Sequence, residues 1–300
     1  ADRYLAAVDL PHVDYRSVAP SSETEAEFAR RSVAYDRTPL RVREEEALDL
    51  PVGGRAQRVT IDGAHRGERL PIYILMPEGV SSPHQAVVWM GGINILMDRN
   101  TQHGITVASG ILDFLRKSGR MVVMPIYGGT FERNDGSSLQ RFNAGRLSRQ
   151  ELSVEWAKDL GRTVDYLEDR GDVDMDRIAF VGLSLGAAMG QIMVHSEERI
   201  DTLVLWSGGF AASSFPEAAP AIVRAVEETN VPVLMLNGRH DFVFPYATHQ
   251  VPFFERLGTP PEHKRHVVWD AGHFGFPIGE FLRENLDWLD RHLGPVARAE

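Results

Sequence analysis

The stretch Arg177-Ile178-Ala179-Phe180-Val181-Gly182-Leu183-Ser184-Leu185-Gly186-Ala187-Ala188-Met189-Gly190 decides the fold. Its first five residues form a short, largely apolar run of the kind that makes a strand buried on both faces. Residues 182–186 follow the pattern Gly-x-Ser-x-Gly, and small residues suited to a close-packed helix come next. Glycines on either side let a strand reverse sharply into a helix and hold the serine hydroxyl clear of the backbone. The pentapeptide alone is a weak signal in a glycine-rich chain. A strand directly before it and a helix start directly after it give it weight.

Working outward, similar apolar runs recur at Ala86–Met90, Met121–Ile126, Thr202–Trp206, Val231–Leu236 and His266–Trp269, separated by helix-length segments. Strands alternating with helices predict an α/β, doubly wound, mostly parallel sheet. Upstream, Gln57–Ile61 and Leu70–Met76 are separated by Asp62-Gly63 and Arg66-Gly67 turn material and read as an antiparallel leading edge. Residues 1–55 are polar, interrupted by Pro11, Pro20, Pro39 and Pro51, with one helical stretch from Glu23 to Tyr35. The expected organisation is an N-terminal extension over 1–55 packed on a domain spanning 56–300. A small lid-like insertion is expected at about 208–230. Ser148-Arg149-Gln150-Glu151 has the form of a capping box, and Leu152, Trp156, Leu160, Val164 and Leu167 follow it at helical spacing. Leu282, Leu286, Leu289 and Leu293 make a second apolar stripe, expected to cover the sheet edge.

A serine hydroxyl is a poor nucleophile at neutral pH and needs a base and a cradle for the oxyanion that forms. In this chain order an acid and then a histidine should follow the serine. After the run ending at Leu236 comes Asn237-Gly238-Arg239-His240-Asp241, and after Trp269 comes Asp270-Ala271-Gly272-His273-Phe274. Both segments sit where a parallel strand ends, the edge at which open α/β sheets bind ligands. Ser184 is therefore expected to attack, His273 to act as base and then acid, and Asp241 to orient the imidazole, with Asp270 the competing acid. His240 is expected to support its loop rather than act as the base. The oxyanion donors expected are the backbone N–H of Leu185 and that of Gly92 or Ile93, in the loop Met90-Gly91-Gly92-Ile93-Asn94.

Composition narrows the alternatives. A net charge of −10, spread along 300 residues, argues against nucleic acid or an anionic membrane surface as a partner. The absence of cysteine removes disulfides, thiolate metal sites and cysteine nucleophiles. No apolar run approaches the roughly 18 residues of a membrane span. HExxH, Walker A, dinucleotide and EF-hand patterns are missing, so no metal and no organic cofactor is implied. A small-molecule ester is the expected partner.

Trp156-Ala157-Lys158-Asp159-Leu160-Gly161, Tyr166-Leu167, Asp176-Arg177-Ile178, the Ser184 pentapeptide, Asn237–Asp241 and Ala271-Gly272-His273 together resemble the catalytic domain of the prolyl oligopeptidase and dienelactone hydrolase-like group, over about residues 55–295. The resemblance implies the α/β-hydrolase fold. Pro125-Ile126-Tyr127-Gly128-Gly129-Thr130-Phe131-Glu132-Arg133 is similar to a motif in hydrolase domains fused behind bacterial serine/threonine protein kinases. Two departures matter. Residues 1–55 are too few for the peptidases' propeller, and the cysteine of dienelactone hydrolases is absent. The resulting expectation is a carboxylesterase-like serine hydrolase acting through an acyl-enzyme, with peptidase or acyltransferase activity as variants. The rival reading is a non-catalytic ligand-binding domain of a kinase fusion. Tyr127 is read either as a pocket residue or as a core aromatic. Asn94, Met97, Phe210 and Phe215 are the other candidate pocket walls.

Overall fold

The computed structural model describes residues 13–65, 67–211 and 216–296. Among these, nine strands form one sheet: β1 Arg43–Asp49, β2 Arg55–Asp62, β3 Arg69–Leu75, β4 His84–Met90, β5 Met121–Pro125, β6 Val173–Leu183, β7 Thr202–Trp206, β8 Val233–Gly238 and β9 Lys264–Trp269. Their spatial order is β1-β2-β3-β5-β4-β6-β7-β8-β9. Strands β4 to β9 run parallel. The leading strands β1, β2 and β3 are antiparallel, and β3 meets β5 antiparallel. This is the α/β-hydrolase layout anticipated above. β4, β5, β7 and β8 are buried along their whole length, which is why their middle stretches are runs of apolar residues rather than alternating.

β1 was not legible. Its sequence, Arg-Glu-Glu-Glu-Ala-Leu-Asp, is charged because it is the sheet's exposed edge and owes its place to backbone pairing with β2. Charged side chains on an edge strand also discourage pairing with another chain.

The helices are α1 Glu23–Val33, α2 Thr101–Lys117, α3 Ser138–Ala144, α4 Arg146–Arg170, α5 Leu185–Val194, α6 Ala219–Glu227, α7 Val251–Arg256 and α8 Ile278–Leu293. α1, α4, α5, α6 and α7 pack on one another as one layer. α2 and α8 meet on Trp206, through Phe114 and Phe281, and so share the other face. The α4 stripe behaves as its spacing predicts, with Leu152, Trp156, Leu160, Val164 and Leu167 all inaccessible. The helix nevertheless starts at Arg146, capped by Gly145 at φ +150°, so Ser148 lies inside it and is not its N-cap.

The second stripe needs a larger correction. α8 lies across β6, β7 and β8 instead of the sheet edge. It is tied to β7 by Trp206 Nε1 donating to Asn285 Oδ1 and Trp288 Nε1 donating to Thr202 Oγ1, both at 2.8 Å. Within residues 208–230, α6 packs on α5 and α7 and leads into β8. Phe215 lies outside the described residues.

The strand order reverses beside β4: the chain steps outward to β5, crosses back to β6, and then proceeds away through β9. Ligands in open α/β sheets bind beyond the carboxyl ends of the strands at such a reversal. Ser184 follows β6 there.

Candidate active site

Ser184 is held at φ +53° and ψ −104°, a conformation that L residues avoid. The turn exists because β6 and α5 touch. A Cβ on Gly182 would lie 2.4 Å from the carbonyl of Gly186, and a Cβ on Gly186 would lie 2.2 Å from the carbonyl oxygen of Met90. Gly186 N–H also donates to Gly91 O at 3.1 Å, joining the turn to the loop after β4. The strain is thus supported by packing on both sides of the serine.

His273 follows β9 and Asp241 follows β8. Their loops are stitched by Arg239 N–H donating to Trp269 O at 2.8 Å and His240 N–H to Ala271 O at 2.9 Å. A Cβ on Gly238 would meet Gly272 O at 1.9 Å, so this approach requires glycine. The stitching brings His273 Nδ1 to 2.8 Å from Asp241 Oδ2 and His273 Nε2 to 2.9 Å from Ser184 Oγ. Asp241, 3% exposed, accepts Val243 N–H and Phe244 N–H on its other oxygen at 2.8 and 3.0 Å. A carboxylate only accepts, so Nδ1 carries the proton and Nε2 is free to accept the serine hydroxyl. Asp270, the competing acid, is exposed and faces His240 instead.

On the other side of Ser184 lies the loop after β4. The Cβ position of Gly92 is 3.5 Å from Ser184 Cβ. Among the described residues, the N–H groups of Leu185, Gly92 and Ile93 donate to no protein acceptor. The first N–H groups of a helix are left unpaired by its geometry, and they favour negative charge. A cavity of about 60 Å³ opens beside this loop, lined by Gly92, Asn94, Ile105, Ile126, Tyr127 and Leu183 among others. Tyr127 is 2% exposed and its hydroxyl has no hydrogen-bond partner among the described residues. Burial, reinforced by the nearby Asp159 carboxylate, holds its pKa well above the ordinary phenol value, so it remains a donor.

Residues 100–273 match the family model of the dienelactone hydrolases, a span of more than half the chain. The chain belongs to the dienelactone hydrolase family. Among solved structures, acetyl xylan esterase 1 from a Thermoanaerobacterium species superposes with a TM-score of 0.69 at 15% identity, covering 94% of this chain and 98% of that one. A cold-adapted esterase from an Arctic intertidal metagenomic library gives 0.62 at 19% identity, over 87% and 99% of the two chains. The 2,6-dihydroxy-pseudo-oxynicotine hydrolase gives 0.56 at 21%, over 82% and 70%. Likeness at such identities speaks for a shared fold.

In this dienelactone hydrolase relative the remaining candidate residues divide. Asn94 lines the cavity with Tyr127. Met97 is exposed and outside the lining. Phe210 is also outside it, fully buried between Tyr15, stacked at 4.1 Å, and Phe253 at 5.2 Å. It packs where residues of the N-terminal segment meet the body, a contact no local pattern announces.

Sequence reasoning also passed over Ser207 and three aromatic residues. Ser207, at φ +51°, donates through Oγ to the backbone oxygen of His273 at 2.6 Å and so fixes the histidine loop. The rings of Phe244, Phe242 and Phe274 lie 6.0, 6.5 and 4.5 Å from the His273 imidazole. Their only sequence signal is closeness in the chain: Phe242 and Phe274 directly follow Asp241 and His273, and Phe244 lies three residues after Asp241. No helix among the described residues is long and apolar enough to cross a membrane.

Proposed function

We propose that this family member is a serine hydrolase that cleaves a carboxylic ester through an acyl-enzyme. The observation that carries the reading is the unbroken relay from Ser184 Oγ through the His273 imidazole to the buried Asp241 carboxylate. His273 Nε2 takes the hydroxyl proton as Ser184 Oγ bonds to the ester carbonyl carbon, and the carbonyl oxygen becomes an oxyanion. The N–H of Leu185, with that of Gly92 or Ile93, receives it. Collapse breaks the carbon–oxygen bond to the alcohol, which leaves with the proton from Nε2. Water then repeats the sequence on the acyl-enzyme, with His273 as base, and releases the acid. Asp241 holds the imidazole in the required tautomer and steadies its charged form.

Incubation with a fluorophosphonate probe, followed by mapping of the adduct, tests the assignment. Labelling at Ser184 is expected. Folded protein that resists labelling there would refute it. Ser184→Ala should lower turnover of p-nitrophenyl acetate by roughly 10³-fold or more.

A further inference from the structure

Acyl transfer of this kind gives the two halves of an ester different addresses. The imidazolium must deliver its proton to the departing alcohol oxygen, so the alcohol lies on the histidine's side of the serine and the acyl group on the other. Along the carboxyl edge of the sheet, β4 and β5 lie to one side of β6, and β8 and β9 to the other. The cavity with Gly92, Asn94 and Tyr127 is on the β4–β5 side. On the β8–β9 side two phenylalanines stand in solvent, Phe242 directly after Asp241 and Phe274 directly after His273, 78% and 61% exposed. A single exposed apolar side chain needs no explanation. Two exposed aromatic rings within 6.5 Å of one imidazole, at the address of the leaving group, call for one.

Resting on the serine-hydrolase reading, we infer that Phe242 and Phe274 bind the alcohol half of the ester, and that this alcohol is apolar, an aliphatic or aryl group. Its burial against both rings would cover surface that the free protein leaves in water. Phe244, buried and stacked on the imidazole at 6.0 Å, adds a third aromatic ring beside His273.

The test compares acetate esters of alcohols from methanol to hexanol, so that the acyl group stays constant and only the alcohol grows. The wild-type kcat/KM for hexyl acetate should exceed that for methyl acetate by about tenfold, consistent with partial burial of the added methylenes. In the Phe242→Ala/Phe274→Ala double variant that ratio should fall to about one to two, whatever the absolute rate, because the gradient arises from the rings. Phe274→Leu, which keeps apolar area, should retain most of the ratio. A parallel series from methyl acetate to methyl hexanoate should keep its own ratio in the double variant. The inference is overturned if the hexyl-to-methyl ratio does not move, or if the acyl series shifts as strongly as the alcohol series. It is equally overturned if the double variant abolishes cosedimentation with phosphatidylcholine vesicles while the ratio stays put, since the rings would then serve a lipid surface. Wild-type protein that neither turns over any ester nor labels at Ser184 refutes the underlying reading. Labelled, active protein indifferent to the alcohol refutes only this inference.

Discussion

The two flanks of Ser184 are built on different terms. On the β8–β9 flank the acid and the histidine are held from within: Asp241 by two backbone N–H groups and by His273, whose backbone oxygen is in turn held by Ser207. On the β4–β5 flank polar groups have no partner among the described residues, the N–H groups of Gly92 and Ile93 and the hydroxyl of Tyr127. Buried polar groups are ordinarily satisfied, and leaving one unmade costs about 1–3 kcal/mol. The difference teaches how a site divides its labour. On the proposed function, the groups that hold the geometry are paired inside the protein, whereas those that would meet a substrate are open.

The largest effect should come from loosening the paired flank. Asp241→Asn keeps the shape but changes the hydrogen-bonding pattern at Nδ1, and should lower kcat/KM by about 10³- to 10⁴-fold. Asp270→Asn should change it by less than about twofold, since that carboxylate is exposed and partnered with His240. Equal losses from both would break the distinction between the two acids.

Gly186→Ala tests the contact that joins the flanks. Its Cβ would sit 2.2 Å from Met90 O, and backbone cannot yield cheaply there. A loss of stability of about 3 kcal/mol is expected, read from the urea midpoint, at the upper end of ordinary overpacking costs. A variant as stable as wild type would mean that the turn and the β4 loop can separate.

Lower on the β8–β9 flank, His266 Nε2 is buried with no partner among the described residues. His266, in the middle of β9, lies among Tyr246 and Phe254, and burial pushes its pKa down to about 4. The unfolded chain binds a proton there near pH 6.5, before the folded protein does. His266 therefore contributes no penalty above about pH 6.5, and stability falls as pH drops toward 4, by roughly 3 kcal/mol in full. Urea midpoints at pH 7.5 and 4.5 should differ by less in His266→Phe than in wild type.

The smallest effect belongs to the open flank. Tyr127→Phe removes a buried hydroxyl with no protein partner and should raise stability of the ligand-free protein by about 1 kcal/mol, measured as a higher Tm. A lower Tm would show that the hydroxyl is already satisfied, which would erase the contrast between the flanks.

Much of the fold was legible because central parallel strands are buried on both faces and must be apolar throughout. Thr202–Trp206 coincides with β7, and Ala86–Met90 falls within β4. β1 escaped because an exposed edge strand can be charged: it is held by backbone pairing with β2 and by Glu45, which accepts from Arg58 and Thr60, ties that no apolar periodicity announces. α8 was legible as a helix but not in its position, since the bonds from Trp206 to Asn285 and from Trp288 to Thr202 span 79 and 86 residues. The candidate site shows the same limit. Chain order pointed to Ser184, Asp241 and His273, whereas Ser207, Phe242 and Phe274 carry no motif.

The sequence by itself determined the strand and helix alternation, the turn at Ser184 and the order in which acid and histidine follow. These are local matters of periodicity, glycine placement and strand ends. Only the tertiary structure decided which carboxylate meets His273, which N–H groups stay open, and that two phenylalanines stand beside the imidazole. Those outcomes depend on how loops from separate strands stack along one sheet edge. Contacts such as Gly238 against Gly272 and Gly186 against Met90 set that stacking, between residues remote in the chain.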